Sequence, residues 1–245
     1  MKAAVIIPTY NESDNIAALV EEILALKIGA QVIIVDDNSP DGTGHIADEL
    51  AGHRPEVHVI HRPCKMGLGT AHIAGFKAAF ALGADRIVTM DADFSHSPRY
   101  IPHLMADTET HHLVIGSRYV DGGSTEGCNF QRRFLSRSAN AFAHLILGLQ
   151  ARDCTAGFRC YRREVLDSIG LDRIFSEGYS FLIEILYKCQ RQGYRIGEVP
   201  IVFENRRRGA SKISRQEILK AAYTVLRLAW PRALFFLSTL SVVIT

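Results

Sequence analysis

The chain has 245 residues, of which 47% are hydrophobic and 22% charged. That balance excludes disordered and fibrous classes and leaves room for one large or two small domains. A formal net charge of +2 excludes the broad basic footprint of a nucleic-acid binder. The charge is uneven: eight Lys or Arg and a single acid, Glu217, lie between Arg206 and Arg232, so the rest is slightly acidic.

Taken in chain order, Ala3–Ile7 is apolar and β-branched and reads as a first strand; the run before Pro8 is too short for a signal peptide. Asn15–Leu26 has helical spacing, with Ser13 or Asp14 as its cap. A second buried run, Gln31–Val35, precedes a helix over Asp41–Leu50. Val57–Ile60 predicts a third strand, Thr70–Leu82 an Ala-rich helix and Arg86–Met90 a fourth strand. Short strands that are apolar throughout, separated by helices, specify a parallel sheet covered on both faces. The fold class is therefore α/β, an open and mostly parallel sheet with right-handed crossovers. Ligands of such sheets bind beyond the carboxyl ends of the strands.

Past Asp93 the pattern loosens. Leu113–Ser117 reads as a strand, Gly122–Gly127 as a loop, and Arg132–Leu147 as a helix with basic residues on one side. Phe158–Tyr161 is short and extended, Tyr179–Gln192 helical, and Ile196–Phe203 a strand. A basic loop, Arg206–Lys212, leads to an amphipathic helix over Arg215–Trp230 that Pro231 stops. Its apolar positions Ile218, Leu219, Ala222, Val225, Leu226 and Ala229 share one side. Basic amphipathic helices lie on anionic membranes, and packing on the sheet is the alternative reading. Ala233–Thr245 carries no charge but falls short of the roughly 20 residues of a span. It tips the balance toward a membrane surface, and Phe134–Leu149 is a second interfacial candidate. The division expected is residues 1–212 as the catalytic domain and 213–245 as an interfacial appendage. Five scattered cysteines (Cys64, Cys128, Cys154, Cys160, Cys189) without a C-x-x-C pair argue for buried free thiols in a reducing compartment.

The chemistry-bearing residues gather at strand ends: Pro8-Thr9-Tyr10-Asn11-Glu12, Val35-Asp36-Asp37-Asn38-Ser39 and Met90-Asp91-Ala92-Asp93. A lone acid in such a turn is as readily a cap. Asp91 and Asp93 differ, because alternate residues of an extended chain share a face about 6.5–7 Å apart. Two carboxylates so placed repel unless a cation lies between them, and hard Mg²⁺ or Mn²⁺ is the natural partner alongside phosphate oxygens. Gly67-Leu68-Gly69 opens a helix but lacks the remaining glycines of a dinucleotide fingerprint and reads as a turn. No phosphate loop or nucleophile elbow is present. The ten histidines form no H-E-x-x-H and read as surface or packing residues.

The runs IIPTYNE, VDDNSPDGT, MDADFSHSP, GSRY, LSRSAN, DCTAGFRCYRREV, GYSFLIEI, IGEVPIVF and RRRGASK resemble the dolichol-phosphate mannosyltransferase group of family 2 glycosyltransferases, over about residues 3 to 230. The resemblance implies a GT-A fold and transfer of mannose from GDP-mannose to a polyprenyl phosphate. It implies donor binding by Pro8, Tyr10, Glu12, Val35, Asp37, Asp91, Ala92, Asp93, Arg206 and Lys212. Asp91, Asp93 and Ser95 match the metal positions, for Mg²⁺ or Mn²⁺. Arg118, Arg132 and Ser136 match positions at the acceptor phosphate, and Glu177 stands where some members carry Lys. With Asp91 and Asp93, Arg118 and Arg132 make the expected catalytic set. The alternatives are a UDP-sugar donor such as UDP-glucose, or a non-catalytic nucleotide-sugar-binding membrane protein. The setting implied is the cytoplasmic membrane face, with no nucleic-acid partner and room for a membrane subunit beside the tail.

Overall fold

The structure, a computed structural model, describes residues 2–127, 130–205 and 217–230, with backbone alone for 130–132. Arg206, Lys212 and the tail 233–245 lie outside the described residues, as does the side chain of Arg132. The first half runs β1 (Ala3–Thr9), α1 (Ile16–Ala25), β2 (Ala30–Asp36), α2 (Thr43–His53), β3 (Val57–His61), α3 (Leu68–Ala81), β4 (Arg86–Thr89). Then come α4 (Ile101–Asp107), β5 (Leu113–Ser117), β6 (Ser124–Glu126), α5 (Phe130–Leu147), β7 (Arg159–Arg162) and α6 (Arg163–Ser168). The remainder is α7 (Ser180–Arg191), β8 (Ile196–Pro200), β9 (Val202–Glu204) and a helix over 217–230, here α8.

Seven strands form one sheet in the order β3-β2-β1-β4-β7-β5-β8. All are parallel to their neighbours except β7, which runs against both β4 and β5. Apolar strands buried on both sides divide their side chains between two cores by period-two alternation. Ala4, Ile6, Ile33, Val35, Ile87 and Ile115 face one core with α3 and α7. Ala3, Val5, Ile7, Val32, Ile34 and Val88 face the other with α1. Each buried Val or Ile contributes about 1.5–3 kcal/mol. Helix α3 approaches β1 so closely that a Cβ on Gly75 would stand 2.4 Å from Ile6 Cγ2.

The structure corrects three local expectations and bears out a fourth. Helix α1 has no side-chain cap at Asn15; instead the N–H groups of Asn15 and Ile16 donate to the Glu12 carbonyl at 3.0 Å. The N–H of Ser13 turns away to Asp41 Oδ2. The Gly67-Leu68-Gly69 stretch opens α3 as expected, with Gly67 at φ +94° making the turn into it. The strand expected over Ile196–Phe203 is two: β8, the edge strand of the main sheet, ends at Pro200, where a missing N–H costs no ladder bond, and β9 pairs with β6 instead. Cys154, Cys160 and Cys189 are buried free thiols, as expected, but Cys64 is exposed.

Candidate active site

Parallel register brings the ends of β1, β2 and β4 to one edge: Thr9 pairs with Asp36 and Ile6 with Thr89. The chain leaves β4 at Thr89, and Asp91 and Asp93 follow at that edge. Asp93 and Ser95 are buried, and the Ser95 N–H donates to Asp93 Oδ1 at 3.1 Å. Asp91 is a third exposed. Its N–H donates to Nδ1 of His96 at 3.2 Å, and the imidazole stacks on Phe158 with centroids 5.1 Å apart. Burial pushes the His96 pKa down, with Asp91 and Asp93 opposing. That nitrogen accepts, so the ring stands neutral. His96 is thus neither a surface nor a mere packing residue, a role that no metal-ligand spacing in the sequence signals.

Asp91, Asp93, Ser95 and His96 line one wall of a cavity of about 360 Å³. Arg118, Tyr119, Ser136 and Thr155 line it too, so the expected acids share a cleft with Arg118. Arg118 follows β5, and its guanidinium forks onto Asp153, with Nε–Oδ2 and Nη2–Oδ1 both 2.7 Å. Nη2 also donates to Thr155 Oγ1 at 2.9 Å. Ser136, on α5, accepts from Tyr119 Oη at 2.8 Å. Phe203 bridges the two walls: its ring meets His96 edge-on at 5.6 Å and the Arg118 guanidinium at 5.3 Å. Beyond this polar end the cavity becomes apolar, walled by Ala139 and Phe142 of α5, Ile183 of α7, and Ala221, Ala222 and Val225 of α8.

Pro8, Tyr10, Glu12, Val35 and Asp37, also expected at the donor, sit at or just past the ends of β1 and β2. Pro8 pairs with Val35 in the sheet, and the Tyr10 ring carries the Lys65 ammonium 4.1 Å above it. Glu12 accepts from Asn15 Nδ2 at 3.0 Å. Asp37 is buried and ion-paired with Arg62, and its Oδ2 accepts the N–H groups of Met66 and Gly67 at 3.1 and 3.2 Å. Its carboxylate therefore fixes the loop between β3 and α3 beside the carboxyl ends of β1 and β2.

The donor set suits a hard divalent cation. Asp91 and Asp93 offer carboxylate oxygens, and the buried Ser95 Oγ has no hydrogen-bond partner among the described residues. No group of three or more His, Cys, Asp or Glu that could cage a metal exists among the described residues. Two carboxylates and a hydroxyl match Mg²⁺ or Mn²⁺ completed by phosphate oxygens, not a closed zinc site.

Helix α8 closes the apolar end. Val225 is buried in the core cluster, while Leu219, Tyr223, Leu226 and Trp230 are exposed. The apolar side expected of this helix is therefore shared between the core and the surface. Its N-terminal Glu217 accepts the Tyr179 N–H at 3.2 Å, and Lys220 pairs with Glu177 at 3.0 Å. Among the described residues no helix is long and apolar enough to cross a membrane.

The model of the family described as "Glycosyl transferase family 2" matches residues 4–170. A polyprenol monophosphomannose synthase of Mycolicibacterium smegmatis is 42% identical over 226 residues, covering 91% of this chain and 85% of the relative. An undecaprenyl-phosphate mannosyltransferase of Micrococcus luteus is 42% identical over 227 residues, covering 93% of each. Among solved structures, the glucosyl-3-phosphoglycerate synthase of Mycobacterium tuberculosis with Mn²⁺, UDP and glucosyl-3-phosphoglycerate superposes at TM-score 0.65 and 21% identity, covering 93% of this chain and 80% of that one. The mannosyltransferase PcManGT of Pyrobaculum calidifontis with GDP-Man and Mn²⁺ superposes at TM-score 0.56 and 16% identity, covering 99% and 80%. At these identities the solved structures establish a common fold.

Proposed function

The chain belongs to glycosyltransferase family 2 and has its GT-A fold, and we propose that it transfers mannose from GDP-mannose to a polyprenyl phosphate, inverting the anomeric carbon. One observation carries the reading: a single cleft has paired acids and an arginine at one end and an apolar channel between α5, α7 and α8 at the other. A diphosphate and a phosphate fit the polar end. An isoprenoid chain fits the other. Two relatives named for this lipid class, each 42% identical, support the assignment.

The acceptor chemistry asks no general base of the cleft. A sugar hydroxyl must lose a proton to attack, whereas a phosphate monoester with a second pKa near about 6 is already largely dianionic at pH 7. Arg118, with Arg132 and Ser136 by resemblance, holds that phosphate; planar guanidinium matches its oxygens. Pro8, Tyr10, Glu12, Val35 and Asp37 take the base and ribose, and Arg206 and Lys212 the donor phosphates. Asp91, Asp93 and Ser95 are the oxygens that would hold Mg²⁺ or Mn²⁺, which when bound neutralises the departing diphosphate as a Lewis acid. Attack from the face opposite the diphosphate gives the inverted product.

The reaction belongs at a membrane. Every large exposed apolar side chain among the described residues, Met66 excepted, lies on α5 or α8. Phe134 and Leu145 are 64% and 80% exposed, and Leu219 and Trp230 are 70% and 68%. Exposed Arg133, Arg137, Lys220 and Arg227 lie on the same two helices. Apolar anchors with basic neighbours suit an anionic lipid surface. Unpaired thiols support its cytoplasmic, reducing side.

The test is transfer of radiolabel from GDP-mannose to polyprenyl phosphate in vesicles, read in the organic phase, with and without chelator. Label that depends on the cation is expected. Label appearing equally with chelator removes the metal role, transfer from UDP-glucose instead reassigns the donor, and no label from any donor removes the activity.

A further inference from the structure

Asp153 received no role from sequence, yet its carboxylate is fully buried behind the cleft wall. Its Oδ2 accepts both the backbone N–H of Arg118 at 3.1 Å and Nε at 2.7 Å. Its Oδ1 accepts Nη2 of Arg118 at 2.7 Å and faces Thr155 Oγ1 at 3.4 Å. Arg118 and Thr155 line the cavity; Asp153 does not. We infer that Asp153 is a positioning residue that aims the Arg118 guanidinium at the acceptor phosphate and takes no proton itself. The inference rests on the acceptor reading given above.

Three further elements hold Asp153 in turn. The N–H groups of Arg152 and Asp153 donate to the Glu198 carboxylate of β8 at 2.8 and 3.0 Å. The Cys154 N–H donates to Asn140 Oδ1 at 2.6 Å, and Asn140 Nδ2 reaches Thr155 Oγ1 at 3.1 Å. Asn140 lies on α5, the helix that also carries Ser136. Buried Arg159 clamps the same loop, donating to the carbonyls of Cys154 and Ala156 at 2.9 and 2.7 Å. A flexible arginine just past β5 is thereby referenced to β7, β8 and α5 together. A bidentate fork fixes orientation as well as charge. A base would need a carboxylate oxygen facing the reacting atoms, and Asp153 has both oxygens committed behind the wall.

The experiment uses the full chain and compares Asp153→Asn, Arg118→Lys and the double variant. Asp153→Asn should raise the KM for polyprenyl phosphate by about 10- to 100-fold, the usual weight of a hydrogen bond to a charged group. The KM for the sugar donor should stay unchanged, and kcat should fall far less than the acceptor KM rises. Combined with Arg118→Lys, the Asp153 change should add little, because it acts through Arg118. A collapse of kcat with acceptor KM unchanged, or full additivity in the double variant, overturns the inference and favours a proton acceptor.

Two controls keep the result readable. Should Asp153→Asn fold poorly, Glu198→Gln, whose carboxylate accepts the N–H groups of Arg152 and Asp153, should raise the acceptor KM alone, in smaller measure; an unchanged acceptor KM overturns the inference. The Arg118 Nε–H signal in nitrogen-15 NMR should be protected in the wild type and exchange fast in Asp153→Asn, whichever acceptor the enzyme uses. Protection in both overturns the positioning role. Failure of the acceptor reading looks different: the wild type itself would then fail to bind farnesyl phosphate by calorimetry.

Discussion

The N–H of Asp91 donates to Nδ1 of His96 across 3.2 Å, so the side chain behind this acid grips it by its backbone. The imidazole is itself held between Phe158 and Phe203. His96→Phe keeps the ring stacking but removes the acceptor of the Asp91 N–H. Residues that orient metal ligands commonly carry 10- to 100-fold in affinity. Calorimetric titration of Mn²⁺ into the chain with GDP present should therefore weaken by about 10-fold or more in His96→Phe. His96→Gln, whose amide oxygen can accept, should lose less. Unchanged Mn²⁺ affinity in the Phe variant would refute the role.

The exposed residues of α8 make a second expectation. Leu219 and Leu226 are 70% and 55% exposed, so their replacement leaves stability nearly unchanged. At a lipid surface each buries enough apolar area to matter. The double variant Leu219→Glu with Leu226→Glu should bind anionic vesicles on the order of 100-fold more weakly by co-sedimentation. Transfer to a short prenyl phosphate in detergent should persist. Vesicle binding equal to the wild type would show that this face is not the one that meets lipid.

The parts of this fold legible in the sequence are those whose signal is local. Strands β1 to β4 are short apolar runs, and their shared edge follows from parallel topology, which is why Asp91 and Asp93 could be found. Arg118 could be picked out, but its partner could not: Asp153 lies 35 residues away, and no spacing rule joins a strand-end arginine to a later loop. The reversal of β7 was equally hidden, since a four-residue strand has the same composition in either direction. Arg159 on β7 is fully buried against three carbonyls, at Ala156, Leu182 and Cys154. A charged residue in a short strand reads as an exposed edge until the chain folds over it.

The cysteines give a third expectation. Burial pushes the thiols of Cys154, Cys160 and Cys189 up to about 12, and a thiolate is the reactive form. Ellman's reagent at pH 8 should therefore label exposed Cys64 in the native chain, with those three reacting only after denaturant. Peptide mass spectrometry distinguishes the sites. Rapid native labelling of Cys160 would contradict its burial.

Acid sensitivity should be traceable to His72. This side chain is buried on α3, its Nδ1–H donating to the Leu68 carbonyl at 3.0 Å and its ring stacking on Phe181 at 5.5 Å. Burial lowers its pKa from 6.5 to about 4. The unfolded chain takes up a proton as the pH falls through 6.5, and the folded chain refuses it until about 4. Stability is therefore intact above that window and drains away as the pH drops through it. The loss from this one group approaches about 3 kcal/mol near pH 4. Asp41, whose pKa is lowered from 3.8, contributes only below the same window. Urea unfolding between pH 7 and 4.5 should show the decline in the wild type and a flatter profile in His72→Leu. His96, also shifted down by burial, leaves some residual slope. An identical pH dependence in wild type and His72→Leu would place the acid sensitivity elsewhere.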